Sequence, residues 1–402
     1  MAGLTPLEEA LALILEDVAP VAETDSVPLA DALGRTLAED VLARVPVPND
    51  DNSAMDGYAL RAEESGQVLR VTQRIPAGSA GETVVPGSAA RIFTGAPIPP
   101  GADAVVMQEN CELEGDKLQL TQAVVAGENI RRAGQDLEQG SRVLAAGRRL
   151  QPEDLGVLAS VGCGEVSVFR RLVVGVLSTG DELVEPGTAD SLAPGQIFNS
   201  NRYTLQGLLQ ALGFEVKDFG LVPDDAAETR RVLQAAADSC DCVISTGGVS
   251  VGEEDHVKHQ VEALGSLKLW KLRVKPGKPL AYGRIGSTGF FGLPGNPAAV
   301  YVTFTMIVRP WLLACQGADP APPLSLSAAA DFDFGRAGSR LEFLRGRVSS
   351  TGQGLRAELH ANQSSGVLSS VSWANALVVI PPGLTVARGD AVEVLLLDQL
   401  SR

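Results

Sequence analysis

Residues 171–183 read RLVVGVLSTGDEL, and residues 242–255 read CVISTGGVSVGEED. Each is an almost unbroken apolar run that ends in Ser-Thr-Gly and then carboxylates. An apolar run without alternation predicts a strand covered on both faces, as in a parallel sheet. Between the two lies NRYTLQGLLQALG, whose Leu205, Leu208, Leu209 and Leu212 share one helical face, with Gly213 as the stop. FEVKDF reads as a strand, DDAAETRRVLQAAADS as a helix, and PAAVYVTFTMIVRPWLLA as an apolar helix opened by Pro297. The alternation predicts a central parallel α/β domain over 171–318. Ligands of such sheets bind beyond the carboxyl ends of the strands, where both Ser-Thr-Gly turns fall.

A chain of 402 residues exceeds one hydrophobic core, so further domains are expected on either side. Thr5-Pro6-Leu7-Glu8 reads as a helix start, with Thr5 as cap and Glu8 reciprocating. LADALGRTLAED, with Leu29, Leu33 and Leu37 four apart, reads as a second helix, and QPEDLGVLASVG as a third. Between them, short alternating runs such as QVLRVTQ and ADAVVMQ predict small strands. The expected partition is a helical domain from 1–44 and 138–170, a β domain inserted at 45–137, the α/β domain, and a small C-terminal β-barrel at 319–402. The barrel follows the Pro/Ala-rich linker ADPAPPLSLSAAA.

The net charge of −16 disfavours broad binding to nucleic acid or anionic membrane. No apolar run reads as membrane-spanning, and the N-terminal LEEALALILEDVA is broken by acids and lacks a basic leader, so a cytoplasmic protein is expected. Five scattered cysteines argue against a disulfide framework, and Cys240 and Cys242 read as structural thiols. His256 and His259, three apart, read as packing or surface residues.

In so acidic a chain a local cationic cluster stands out. KLRVKPGKPLAYG sets Lys271, Lys275 and Lys278 around a Pro-Gly turn, the pattern of a rigid anion cradle. Ser178, Thr179, Gly180, Ser245, Thr246, Gly247, Gly248 and Ser250 supply hydroxyls and close backbone approach at the strand ends. In FFGLPGNPAAV, Pro294, Gly295 and Pro297 fix a loop whose N–H groups are expected to face an oxyanion. Glu182, Asp224, Asp225 and Asp255 would repel a polyanion unless they hold Mg²⁺ against phosphate oxygens. In the β region, NDDNSAMDGYAL reads as an acidic turn around Asp56-Gly57, with Asp50 and Asp51 as solvated charges.

NSAMDGYA, FTGAPIPPGADAVV, ENIRRAGQD, STGDEL, STGGVSVGEEDHV, KPGKPLAYG and GLPGNPAAV together resemble the MoeA/gephyrin-E family, the molybdopterin molybdenumtransferases, in the same order and over nearly the whole chain. The GGxS loop alone is shared with molybdopterin adenylyltransferases; NSAMDGYA and FTGAP are the specific part. The resemblance implies four-domain homodimers that insert molybdate into adenylated molybdopterin and release AMP with Mg²⁺. It implies a cleft between the α/β domain of one subunit and the β insertion of the other. Glu182, Asp255 and either Asp224 or Asp225 then lie by metal or phosphate, Lys271, Lys275 and Lys278 hold phosphate or molybdate, and Pro294 and Pro297 shape the pocket. Asp56, Thr94 and Asp136 come from the partner. An adenylyltransferase of the same pathway is an implied partner. Ala299 stands where many relatives carry Ser and Gly366 where eukaryotic ones often carry Arg, which weakens Arg340, Arg345 and Ser365 as anion ligands. The rival readings are ATP-dependent adenylation of molybdopterin, which leaves the flanking domains without a role, and a non-catalytic gephyrin-like scaffold.

Overall fold

The computed structural model describes residues 4–247, 256–320 and 322–400. Gly248, Ser250 and Asp255, expected in the site, lie outside the described residues. Contacts divide the chain into two compact units, Ser26–Leu33 with Leu37–Val168, and Met1–Asp25 and Gly34–Thr36 with Phe169–Arg402.

The larger unit is built on a six-stranded sheet in the order Glu215–Val222, Val173–Thr179, Cys242–Thr246, Thr288–Leu293, Pro279–Ile285, Gly265–Lys271. The first four strands are parallel. The last two run antiparallel and form a hairpin edge that the sequence reading did not anticipate. Apolar clusters cover both faces, one holding Val174, Ile244 and Phe291, the other Leu177, Val243 and Phe290. That two-sided burial is why these strands read as unbroken apolar runs.

Helix Leu7–Leu15 packs its Leu7, Ala10 and Ile14 into the first of these clusters, so it belongs with the α/β core rather than with a separate helical domain. Thr5 is not its cap: the cap position is Pro6, without a side-chain bond. Thr5 instead joins the sheet edge, its N–H donating to the Lys271 carbonyl at 2.9 Å and its carbonyl accepting from Arg273 N–H at 2.7 Å. The helix of residues 297–315 is long and apolar enough to cross a membrane, contrary to the sequence reading, but 83% of its apolar window is buried inside the fold. A π-helical turn at Phe304–Val308 interrupts it before Arg309–Cys315.

Strands Ser325–Ala330, Leu341–Thr351, Gly354–Leu359, Ala376–Ile380 and Ala391–Leu396 close into a five-stranded barrel, because Leu341–Thr351 pairs with both of its neighbours around the ring. A sixth short strand, Val274–Lys275, leaves the sheet hairpin and pairs in parallel with the start of Leu341–Thr351. The lysine segment therefore joins the α/β sheet to the barrel.

The smaller unit holds a six-stranded sheet in the order Ala104–Met107, Gly57–Leu60, Ser88–Ile92, Leu69–Ile75, Lys117–Leu120, Cys111–Glu114. Its alternation is visible within one strand: Tyr58 and Leu60 enter one apolar cluster and Ala59 the other. Helix Pro152–Ser160 forms as expected, with a capping box between Gln151 and Asp154. LADALGRTLAED does not form a helix. Only a 3₁₀ turn at Leu29–Asp31 appears, because Gly34 adopts φ +72° and turns the chain, leaving Leu33 exposed.

Candidate functional site

The Ser-Thr-Gly turns lie side by side at the carboxyl edge of the α/β sheet, with Ser178 in register with Thr246. Their hydroxyls are not all free for a ligand. Ser178 Oγ and Thr246 Oγ1 bond each other at 3.0 Å, and both side chains are buried. Ser245 is buried too and donates to the Gly247 carbonyl at 3.4 Å. Thr179 differs: its Oγ1 is buried and has no hydrogen-bond partner among the described residues. Gly247, at φ +85°, is packed so tightly that a Cβ there would sit 2.5 Å from the Thr179 carbonyl oxygen. Gly180, at φ +138°, leaves room for the Glu182 carboxylate, which a Cβ would strike.

Of the expected carboxylates, Asp225 caps helix Ala226–Ala237, accepting from Glu228 N–H at 2.8 Å. Asp224 lies 3.8 Å from His256 Nε2. Among the described residues Glu182 has no ionic or hydrogen-bonding partner for its carboxylate, and no cluster of three or more metal-ligating side chains occurs. Mg²⁺ commonly takes one or two protein carboxylates and completes its shell with water and substrate phosphate. Glu182, exposed and folded over the Gly180 turn, would supply one such carboxylate.

The lysine segment has a two-residue period. Leu272 and Val274 enter the core while Lys271, Arg273 and Lys275 point outward, so Arg273 joins a row the sequence reading left it out of. Leu272 N–H donates to the Lys278 carbonyl at 2.7 Å and closes the turn, bringing Lys278 back beside Lys271. Gly277, at φ +110°, lies against helix 297–315, where a Cβ would be 2.6 Å from Thr303 Oγ1.

The loop of Pro294, Gly295 and Pro297 does not offer free helix N–H groups. Ala298 N–H donates to the Ser365 carbonyl of the barrel at 2.9 Å, and Ala299 and Val300 N–H both donate to Asn296 O. With Pro297 lacking an N–H, the first turn is already satisfied. Beside the loop lies Asn201 of helix Ser200–Ala211, which donates to Gly295 O at 2.7 Å while its Oδ1 is buried without a partner among the described residues.

Arg345, a weak candidate by sequence, is a cation that the fold buries behind this loop. Its side chain is 1% exposed and, among the described residues, donates only to neutral oxygens: Ser370 Oγ at 3.0 Å, Phe343 O at 3.3 Å and Ser364 O at 3.1 Å. Burial pulls its affinity for the proton below the usual arginine value. A buried guanidinium held by carbonyls and a hydroxyl is costly unless an anion completes it. Ser364 adjoins Ser365, which binds the start of helix 297–315, so Arg345 is tied to that loop through one short segment.

In the smaller unit, Asp56 and Thr94 are brought together. Thr94 donates to Asp56 Oδ1 from N–H at 2.8 Å and from Oγ1 at 2.9 Å. These bonds, backbone first, hold the carboxyl below its ordinary value, with Arg91 adding to the effect. Arg91 donates to Gly57 O at 2.8 Å and Gln108 Oε1 at 2.6 Å, and its guanidinium lies 4.6 Å from the Phe93 ring centre. Gly57 is needed for close packing rather than for a turn, since a Cβ would collide with the Val106 carbonyl. Asp51 is no idle charge: it accepts from Ala133 N–H at 2.8 Å and pairs with Arg132. Those bonds, with the Val47–Leu137 bridge, lace the 47–56 loop to the segment carrying Asp136, whose carboxylate is exposed.

Known proteins share this architecture. Residues 5–162 match the MoeA N-terminal region (domain I and II), 175–314 a probable molybdopterin binding domain, and 327–397 the MoeA C-terminal region (domain IV). A molybdopterin molybdenumtransferase of Haemophilus influenzae is 41% identical over 380 residues, covering 93% of this chain and 94% of that protein. One from a Nostoc species is 38% identical over 391 residues, covering 93% and 88%. The crystal structure of a molybdopterin biosynthesis MoeA protein from Pyrococcus horikoshii superimposes with a TM-score of 0.86 at 33% identity, covering 98% of this chain and 100% of that one. The chain belongs to the MoeA family of molybdopterin molybdenumtransferases, enzymes of molybdenum cofactor biosynthesis.

Proposed function

We propose that the protein inserts molybdate into adenylated molybdopterin, cleaving the phosphoanhydride and releasing AMP in a Mg²⁺-dependent step. The observation that carries this reading is the buried Arg345, with only neutral partners, on the same barrel strand that pairs with the Lys271–Lys278 segment. Arg345 and the lysines hold and orient the oxyanion. Thr179 Oγ1 and the Gly180 and Gly247 turns meet the phosphate end of the pterin substrate. Glu182 is the described carboxylate best placed to hold Mg²⁺, which supplies charge neutralisation on the phosphate oxygens. Catalysis is then electrostatic, through donors fixed before the reaction begins.

We place Asp56, Thr94 and Asp136 across the interface of a cytoplasmic homodimer, facing the α/β domain of the other subunit. The Thr94 bonds keep Asp56 anionic and fixed in direction, which suits orienting a water or a metal-bound group. An adenylyltransferase of the same pathway would supply the substrate.

Purified protein given adenylated molybdopterin, molybdate and Mg²⁺ is expected to release AMP only when all three are present. Replacing the adenylate with ATP and free molybdopterin is expected to yield none. AMP release without molybdate, or adenylate formed from ATP, contradicts the reading.

A further inference from the structure

A carboxylate that pairs with the lysine segment comes from the barrel, and nothing in the sequence singled it out. Glu342 lies on Leu341–Thr351, in register with Lys275 across the short parallel pairing. Lys275 Nζ is 3.0 Å from Glu342 Oε2, with the glutamate side chain 6% exposed and the lysine 49%. Oε2 is buried and forms no directed hydrogen bond among the described residues, so the ammonium charge is what stabilises it. The fold makes room for this carboxylate: Gly338 has no side chain where a Cβ would be 2.7 Å from Glu342 Oε1. The two backbones are braced on either side, by Arg340 Nη1 on Val274 O at 3.2 Å and Arg273 Nε on Ser339 O at 2.8 Å. Such bracing fixes where the carboxylate stands relative to the lysine stem.

We propose that Glu342 is a positioning residue that acts through Lys275, aiming its ammonium at the oxyanion and offsetting part of its charge while the site is empty. This rests on the reading that Lys275 contacts the oxyanion. A lysine stem has four rotatable bonds and loses entropy when pinned; a buried carboxylate on a paired strand pins it before the ligand arrives. Through the same pairing the carboxylate offsets part of the ammonium charge and so weakens the lysine's pull on the anion. The geometry therefore separates two quantities: aim, which raises turnover, and affinity, which the negative charge lowers.

The test is a double-mutant cycle of Glu342→Gln and Lys275→Ala, read by AMP release and by calorimetric titration with molybdate alone. Glu342→Gln is expected to lower kcat about tenfold or more, as misaimed groups do, while molybdate binds a few-fold tighter. In the Lys275→Ala background Glu342→Gln is expected to change neither quantity further. Gly338→Ala, which displaces the carboxylate without removing its charge, is expected to lower kcat in the same direction and keeps the test open if Glu342→Gln misfolds. Wild-type turnover in Glu342→Gln or Gly338→Ala, or losses that multiply with Lys275→Ala, overturn the proposal. If the wild-type protein releases no AMP, the insertion reading fails by itself. The molybdate titrations of the same cycle then decide Glu342: a change confined to the Lys275 background supports it, and an independent change refutes it.

Discussion

Gly247→Ala offers a test of how tightly the two Ser-Thr-Gly turns must sit. The backbone at Gly247 has φ +85°, where an L side chain costs about 1–2 kcal/mol. The added Cβ would also stand 2.5 Å from the Thr179 carbonyl oxygen, which as backbone of a central strand cannot swing aside. Relief requires the turns to part by about half an ångström or more, since real Cβ contacts lie beyond 3.0 Å. Together these imply a loss of about 2–4 kcal/mol, with strain from overpacking added to the backbone cost. In a domain of this size that lowers the unfolding midpoint by roughly 4–15 °C. Because Thr179 is the turn residue whose hydroxyl has no partner among the described residues, the displacement falls on the group expected to meet phosphate. Misplacement of about 1 Å commonly costs about 100-fold in rate, so a drop of roughly 10- to 100-fold in kcat is expected. Scanning calorimetry and AMP release measure the two effects. A Gly247→Ala protein with wild-type turnover would show that the turn does not position the substrate.

Asp56 carries a pH prediction. Its pKa in the fold is depressed by the Thr94 bonds, so its stabilising charge is present above the ordinary value of 3.8 and is lost only as pH falls through the lower folded value. Any activity loss between pH 5 and 8 therefore comes from another group, and Asp56→Asn should lower turnover without moving that limb; a shifted limb refutes this. Arg345→Met keeps the buried volume but removes the charge, and is expected to weaken molybdate binding and lower kcat by about 100-fold or more while the barrel stays folded, as circular dichroism would show. Unchanged molybdate binding in that variant would remove Arg345 from the site. Burial raises the thiol pKa of Cys111 to about 11 and of Cys315 to about 12, so both should resist iodoacetamide at pH 8 in the native protein and react on unfolding, as peptide mass spectrometry would reveal.

The α/β core was legible because its signal is local. Strands buried on both faces must be apolar throughout, and RLVVGVL and CVIS cannot satisfy another environment without exposing that surface. One helix failed where a single residue overrode the periodicity: the leucine spacing of LADALGRTLAED is sound, but Gly34 turns the chain in its middle. Thr5 was misread because its backbone is claimed by Lys271 and Arg273, more than two hundred residues away in sequence, and no local pattern records that. The site shows the same division. Lys271, Lys275 and Lys278 announce themselves against an acidic chain. Ser178 and Thr246 looked like ligand donors because their mutual bond depends on strand register. Arg345 looked like a weak candidate and Glu342 went unnoticed for a related reason. In RLEFLRG (residues 340–346) Glu342 and Arg345 fall on opposite faces of one strand, and each is buried by a different distant segment, Glu342 by the Lys275 strand and Arg345 by residues 364–370, which no local pattern records.

The claim that the site joins the lysine segment of one subunit to Asp56 of another is tested most directly by complementation. Asp56→Ala and Lys275→Ala proteins, each strongly impaired alone, are unfolded together, refolded as a mixture and assayed for AMP release. If the two residues serve one cleft from different subunits, half the dimers are mixed and each has one intact site, so roughly a quarter of wild-type activity returns. If the residues act within a single chain, every site in every mixed dimer carries one lesion, and no activity returns.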